Sequence, residues 1–202
     1  MYVYNRKMIK QVYVISALSV AIVMCCAFAL FLKTTDEVTP VMKEEDAPVI
    51  QLPDSEAQFI LPFLVEAEVV NAFFDGSDHE VDDFTYYEGV YRANQGIDYA
   101  YKNENFEVVC MMDGEVIEVK EDALFGNSIT IQSDTIQITY QSLDALNFEK
   151  GAYVKQKDVI GKASLNTYNP ALGNHLHVVV SANNTLLNPQ NIIGKTLEEI
   201  VP

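Results

Sequence analysis

Two histidines one residue apart, His175 and His177, head the apolar run "HLHVVVS" at residues 175–181. A strand alternates its faces with period two, so both imidazoles project to the same side. That arrangement presents a pair of metal ligands, or one ligand and one general base. It equally serves two hydrogen-bonded groups lining a groove. The remaining histidine, His79, stands in the polar stretch "GSDHEVDD" at residues 76–83.

The elements that must position this pair are short strands. "FEVVC" (106–110), "EVIEV" (115–119), "GNSITIQS" (126–133), "TIQITY" (135–140) and "HLHVVVS" follow one another, with "GAYVKQKDVIGKA" (151–163) before the last. Strands about ten residues apart, with no helical period between them, predict a mainly β, antiparallel sheet or small barrel. Asp113-Gly114 reads as a tight turn, Asp134 and Asn183-Asn184 as further turns, "TYYEGVYR" (85–92) as an edge strand and "KTLEEIV" (195–201) as a short helix.

Before the strands the chain changes character. Residues 12–32, "VYVISALSVAIVMCCAFALFL", carry no charge. At about 1.5 Å per residue, a helix of this length spans a bilayer core. A cleaved leader has a shorter apolar core, so a retained transmembrane helix is expected. Arg6, Lys7 and Lys10 precede the span, against Lys33 alone just after it. This bias places residues 1–11 in the cytoplasm and the rest outside. Residues 33–57, acidic and proline-containing, read as a stalk. Residues 58–202 read as the folded domain.

The first 33 residues hold four of the thirteen Lys/Arg and no acid, so the remainder carries nine against 29 Asp/Glu, a net charge of −20. Such a surface repels nucleic acid and anionic lipid. Cys25 and Cys26 lie in the apolar span and Cys110 in a core run, so no internal disulfide is implied.

"GID" (96–98), "MDGEVIEV" (112–119), "GAYVKQKDVIG" (151–161), "GNHLH" (173–177) and "NP" (188–189) occur in an order that resembles the LytM-type domain of the M23 metallopeptidases, over residues about 85–193. Active members of that family are zinc endopeptidases of peptidoglycan cross-bridges. The resemblance implies a barrel-sandwich-like antiparallel fold. It places one metal ligand at Asp98, a second at His177 and a catalytic position at His175. The remaining ligand position, four residues before Asp98, is Asn94, and the second catalytic position, in "TYQSL", is Gln141. Catalytic zinc takes three protein ligands. Asn94 offers a neutral amide, and Gln141 can neither take up a proton nor carry positive charge. Zinc and catalysis are therefore not expected. His79 is too remote in sequence to replace the missing ligand.

The anchor, the acidic stalk, "TYQSL" (139–143) and "GKASLNTYNPALGNHLH" (161–177) resemble the sporulation members of this family in particular. That resemblance implies an inactive domain on the outer face of the forespore membrane. There it forms one side of a channel-like complex with a SpoIIIAH-like mother-cell membrane protein, needed for engulfment and forespore gene expression. The alternatives are an activator of a cell-wall hydrolase and a zinc peptidoglycan endopeptidase.

Overall fold

The computed structural model describes residues 56–76 and 84–201, together with Ser19 and Met24, both helical. The chain divides into two compact units, Met1–Val49 and Ile50–Pro202. Apart from those two residues, the expected span 12–32 lies outside the described residues, as do residues 33–55 of the expected stalk and His79. Among the described residues no helix is long and apolar enough to cross a membrane.

The second unit is built from strands β1 (Glu68–Asn71), β2 (Phe84–Tyr87), β3 (Val90–Ala93), β4 (Ile97–Ala100), β5 (Glu107–Val109), β6 (Gly114–Asp122), β7 (Gly126–Ser133), β8 (Ile136–Leu146), β9 (Tyr153–Val154), β10 (Val159–Ala163), β11 (His175–Ala182) and β12 (Thr185–Leu187). Helix α1 (Leu197–Ile200) follows, closed at its start by a capping box between Thr196 and Glu199. The main sheet runs β1-β4-β11-β8-β7-β6-β9, with β12 beside β11 and β10 joining β5 to β8. The pairings of β11 with β4 and β8, and of β7 with β6 and β8, are antiparallel, as the strand spacing predicts.

Alternation decides which side chains make the core. Along β8, Ile136, Ile138 and Tyr140 are buried; along β11, Leu176, Val178 and Val180 are buried. They pack with Ile129 and Ile131 of β7 into one cluster that also holds Cys110. His177, Val179 and Ser181 alternate with them and so face away from it. Burial pushes the Cys110 thiol up to about 12, which leaves it protonated and unreactive.

One strand expectation and one turn expectation are corrected. "TYYEGVYR" is not one edge strand but a two-stranded hairpin, β2–β3, forming a sheet of its own. Glu88 and Gly89 both take positive φ, 49° and 81°, and reverse the chain. This is the backbone of a tight hairpin turn, with a glutamate where Asn or Asp is usual. Asp113-Gly114 is no hairpin turn. Gly114 opens β6, and β5 before it pairs with β10 instead. A Cβ at Gly114 would stand 2.5 Å from the Gln132 carbonyl oxygen, so this glycine serves close approach of two backbones. The two-residue turns at Asp134-Thr135 and Asn183-Asn184 are present, Asp134, Asn183 and Asn184 all with positive φ.

Gly114→Ala forces β6 away from β7, which costs about 1–3 kcal/mol. The midpoint of urea unfolding falls accordingly, with the slope unchanged.

Candidate functional site

Three neighbouring strands bring the expected site residues together. In the register of the sheet, His177 on β11 stands opposite Asp98 on β4 and opposite Gln141 on β8. The row Asp98–His177–Gln141 therefore crosses three strands on the face away from the core. Gly96, just before β4, leaves room for the imidazole. A Cβ there would lie 2.9 Å from both Cε1 and Nε2 of His177 and 2.3 Å from the Val178 carbonyl oxygen.

Asp98 is buried, at 3% exposure, yet well supplied with donors. His177 Nδ1 lies 2.8 Å from its Oδ1, and Asn94 Nδ2 donates to its Oδ2 at 3.0 Å. The same amide nitrogen of Asn94 lies 3.3 Å from the Asn71 carbonyl oxygen. Both neighbours only accept, which fixes the amide with its nitrogen toward Asp98. A carboxylate likewise only accepts, so His177 carries its proton on Nδ1. The position where the family resemblance places a third ligand thus holds a donor aimed at the carboxylate. The two ligand positions are hydrogen-bonded directly to each other. Among the described residues no three His, Cys, Asp or Glu are grouped to hold a metal. This set does not fit zinc, which needs lone pairs at all its ligands.

His175 corrects part of the groove reading. His177 lines a cleft, but His175 is 1% exposed and lies beneath its floor. The chain after β10 folds over the start of β11. Ser164 pairs with His175 in an isolated bridge, and the Ser164 amide donates to the Ser142 carbonyl at 2.7 Å. The imidazole is then enclosed. Its Nδ1 donates to the Gly173 carbonyl at 2.8 Å, which leaves Nε2 as an acceptor. That nitrogen lies 3.1 Å from Asn166 Nδ2 and 3.2 Å from Ser142 Oγ, and Asn166 Nδ2 also donates to Ser142 Oγ at 2.7 Å. Ser142 takes a φ of 64°, rare for serine. This break in the alternation of β8 turns its hydroxyl toward His175.

Ser142, Asn166 and Asn71 are site residues that sequence reasoning missed. Each is a small polar residue whose partner is distant in the chain, such as Asn71 Nδ2 on Thr85 Oγ1 at 3.1 Å. No local pattern marks them. A small polar residue at a buried position within β8 is the nearest thing to a signal.

Above this network the cleft, of about 650 Å³, is closed on one side by the β2–β3 hairpin and on the other by the loop after β10. Tyr87 of the hairpin packs on Tyr168 at 5.3 Å between ring centroids, and Phe125 packs on the same ring at 4.8 Å. Gln141 and Arg92 also line it.

Burial lowers the pKa of His175 from its ordinary 6.5, more than the Gly173 carbonyl and Asp98 raise it. The unfolded chain therefore takes up this proton more readily than the folded one. The stability contributed by neutral His175 is complete above pH 6.5 and is lost as the pH falls below that value. Unfolding free energies of the wild type fall from pH 7.5 toward pH 5.5, and those of His175→Asn, normalised to pH 7.5, fall less.

Comparison with known proteins completes the picture. Residues 92–189 match peptidase family M23. Stage II sporulation protein Q of Bacillus subtilis (strain 168) is 33% identical over 116 residues, 56% of this chain. The match spans 41% of that relative's length. The structure of the SpoIIQ–SpoIIIAH pore-forming complex superposes with a TM-score of 0.68 at 28% identity, covering 71% of this chain and 95% of the solved one. A zinc-containing peptidase from Vibrio cholerae shares the fold at a TM-score of 0.53 and 24% identity, over 65% of this chain and 39% of that one. The site's geometry and these likenesses together make the domain similar to peptidase family M23 over residues 92–189, and to stage II sporulation protein Q.

Proposed function

We propose that this chain is a membrane-anchored, catalytically inactive LytM-like interaction protein of sporulation, whose domain lies outside the cytoplasm and docks a SpoIIIAH-type protein of the facing membrane. The observation that carries this reading is the likeness to SpoIIQ solved as a complex with SpoIIIAH, at 95% coverage of the solved chain. The apolar, uncharged residues 12–32 support the anchor, and the flanking cations support its orientation. On this reading the domain stands on the forespore side of a channel-like assembly that engulfment and forespore gene expression require.

The inactive assignment rests on chemistry. Asn94 Nδ2 and His177 Nδ1 satisfy both oxygens of Asp98. A metal entering there must displace two charge-assisted hydrogen bonds and would gain only two strong ligands. Gln141, opposite His177, supplies no proton at neutral pH. His175 is spent on Gly173, Ser142 and Asn166. The reading as activator of a cell-wall hydrolase would use the same inert domain on a different partner.

Purified chain therefore carries far less than one zinc per molecule and leaves peptidoglycan uncut. Stoichiometric zinc together with cleavage abolished by His177→Ala overturns the inactive assignment. Asn94→His restores a third ligand and tightens zinc binding about a hundredfold, by isothermal titration, because one ligand of a full zinc site is worth roughly 3 kcal/mol. Cleavage stays absent in that variant, since Gln141 and the enclosed His175 are unchanged. Mixed with the soluble part of SpoIIIAH from the same organism, the full chain elutes as a complex; separate elution sinks the partner assignment.

A further inference from the structure

One stretch of the surface has the composition of an interface. From Leu61 to Val70, five apolar side chains are exposed: Leu61 43%, Leu64 76%, Val65 36%, Val69 40% and Val70 37%. Glu66 and Glu68 between them are exposed too. The stretch ends in β1, the last strand of the sheet on its side, paired with β4 and, among the described residues, with no other strand. An edge strand with one face on a core buries alternate residues. In β1, Glu68, Val69 and Val70 are all exposed, and only Asn71 is buried. An open strand edge flanked by exposed valines is a template for another chain's strand.

Charge selects the occupant. The described residues 56–76 and 84–91 of this part of the domain hold five Asp/Glu and no Lys or Arg. A second copy would set these acids against themselves, which is unfavourable at close range. A strand carrying Lys or Arg meets them favourably while its apolar residues cover the valines. The stretch also precedes Arg92, where the match to peptidase family M23 begins.

We infer that Leu61–Val70 is the docking edge of this protein, and that it takes a strand of the partner in which lysine or arginine stands among apolar residues. This rests on the reading above that the partner is a SpoIIIAH-type protein. The test measures binding of the full chain, held in detergent, to the soluble part of SpoIIIAH from the same organism. The variants are Glu66→Lys/Glu68→Lys and Val69→Asp/Val70→Asp, each checked for unchanged circular dichroism. The expected result is at least a tenfold rise in Kd for both. Wild-type affinity also falls between about 50 and about 500 mM NaCl, where screening shortens the reach of the acids, and the lysine variant responds less. Wild-type binding that both variants leave unaltered overturns the docking edge and leaves the partner reading standing. No binding by the wild type overturns that reading and this inference with it. Self-association abolished by the same substitutions overturns the inference in favour of a second copy.

Discussion

The Asp98 carboxylate, held between His177 and Asn94, organises the polar side of this domain. A buried carboxylate without partners is costly, and one with a donor on each oxygen is stable. The two donors come from different places. His177 is delivered by the register of β4 against β11. Asn94 lies four residues before Asp98, just past the end of β3, and also ties down the end of β1 through Asn71. One ionised group thus fastens β1, β4 and β11 together with the short segment leading out of the hairpin. The arrangement needs no metal to hold its charge.

A second, neutral network lies beside the first and does a different task. His175, Ser142, Asn166 and the Gly173 carbonyl saturate one another beneath the cleft floor. Fully satisfied buried networks fix a unique packing, and partly satisfied ones do not. Here the loop after β10 is pinned over the start of β11, and the cleft keeps its walls. The cleft floor is held in shape by amides, an imidazole and a hydroxyl. The chain after residue 33 is strongly acidic, and near β1 the exterior is apolar as well.

The turns show how far local pattern reaches. Asn183-Asn184 was legible because asparagine tolerates positive φ and the flanking runs alternate. Glu88-Gly89 was not, because glutamate gives no such hint and the hairpin has no core of its own to mark its two strands. Asp113-Gly114 misled for the opposite reason. Its composition fits a turn, but the glycine is required by the Gln132 backbone across the sheet. A residue's local preference and its tertiary duty can call for the same amino acid.

Sequence alone determined the short alternating runs that predict antiparallel pairing, and the shared face of His175 and His177. These follow from period-two geometry. Tertiary structure decided the rest. Only the strand register sets Asp98 and Gln141 on either side of His177, since their partners lie 79 and 36 residues away in the chain. Only the loop folding back through Ser164 separates two histidines that alternation had made equivalent, enclosing His175 and leaving His177 at the cleft. Alternation specifies direction from a backbone; burial depends on what the distant chain lays over it.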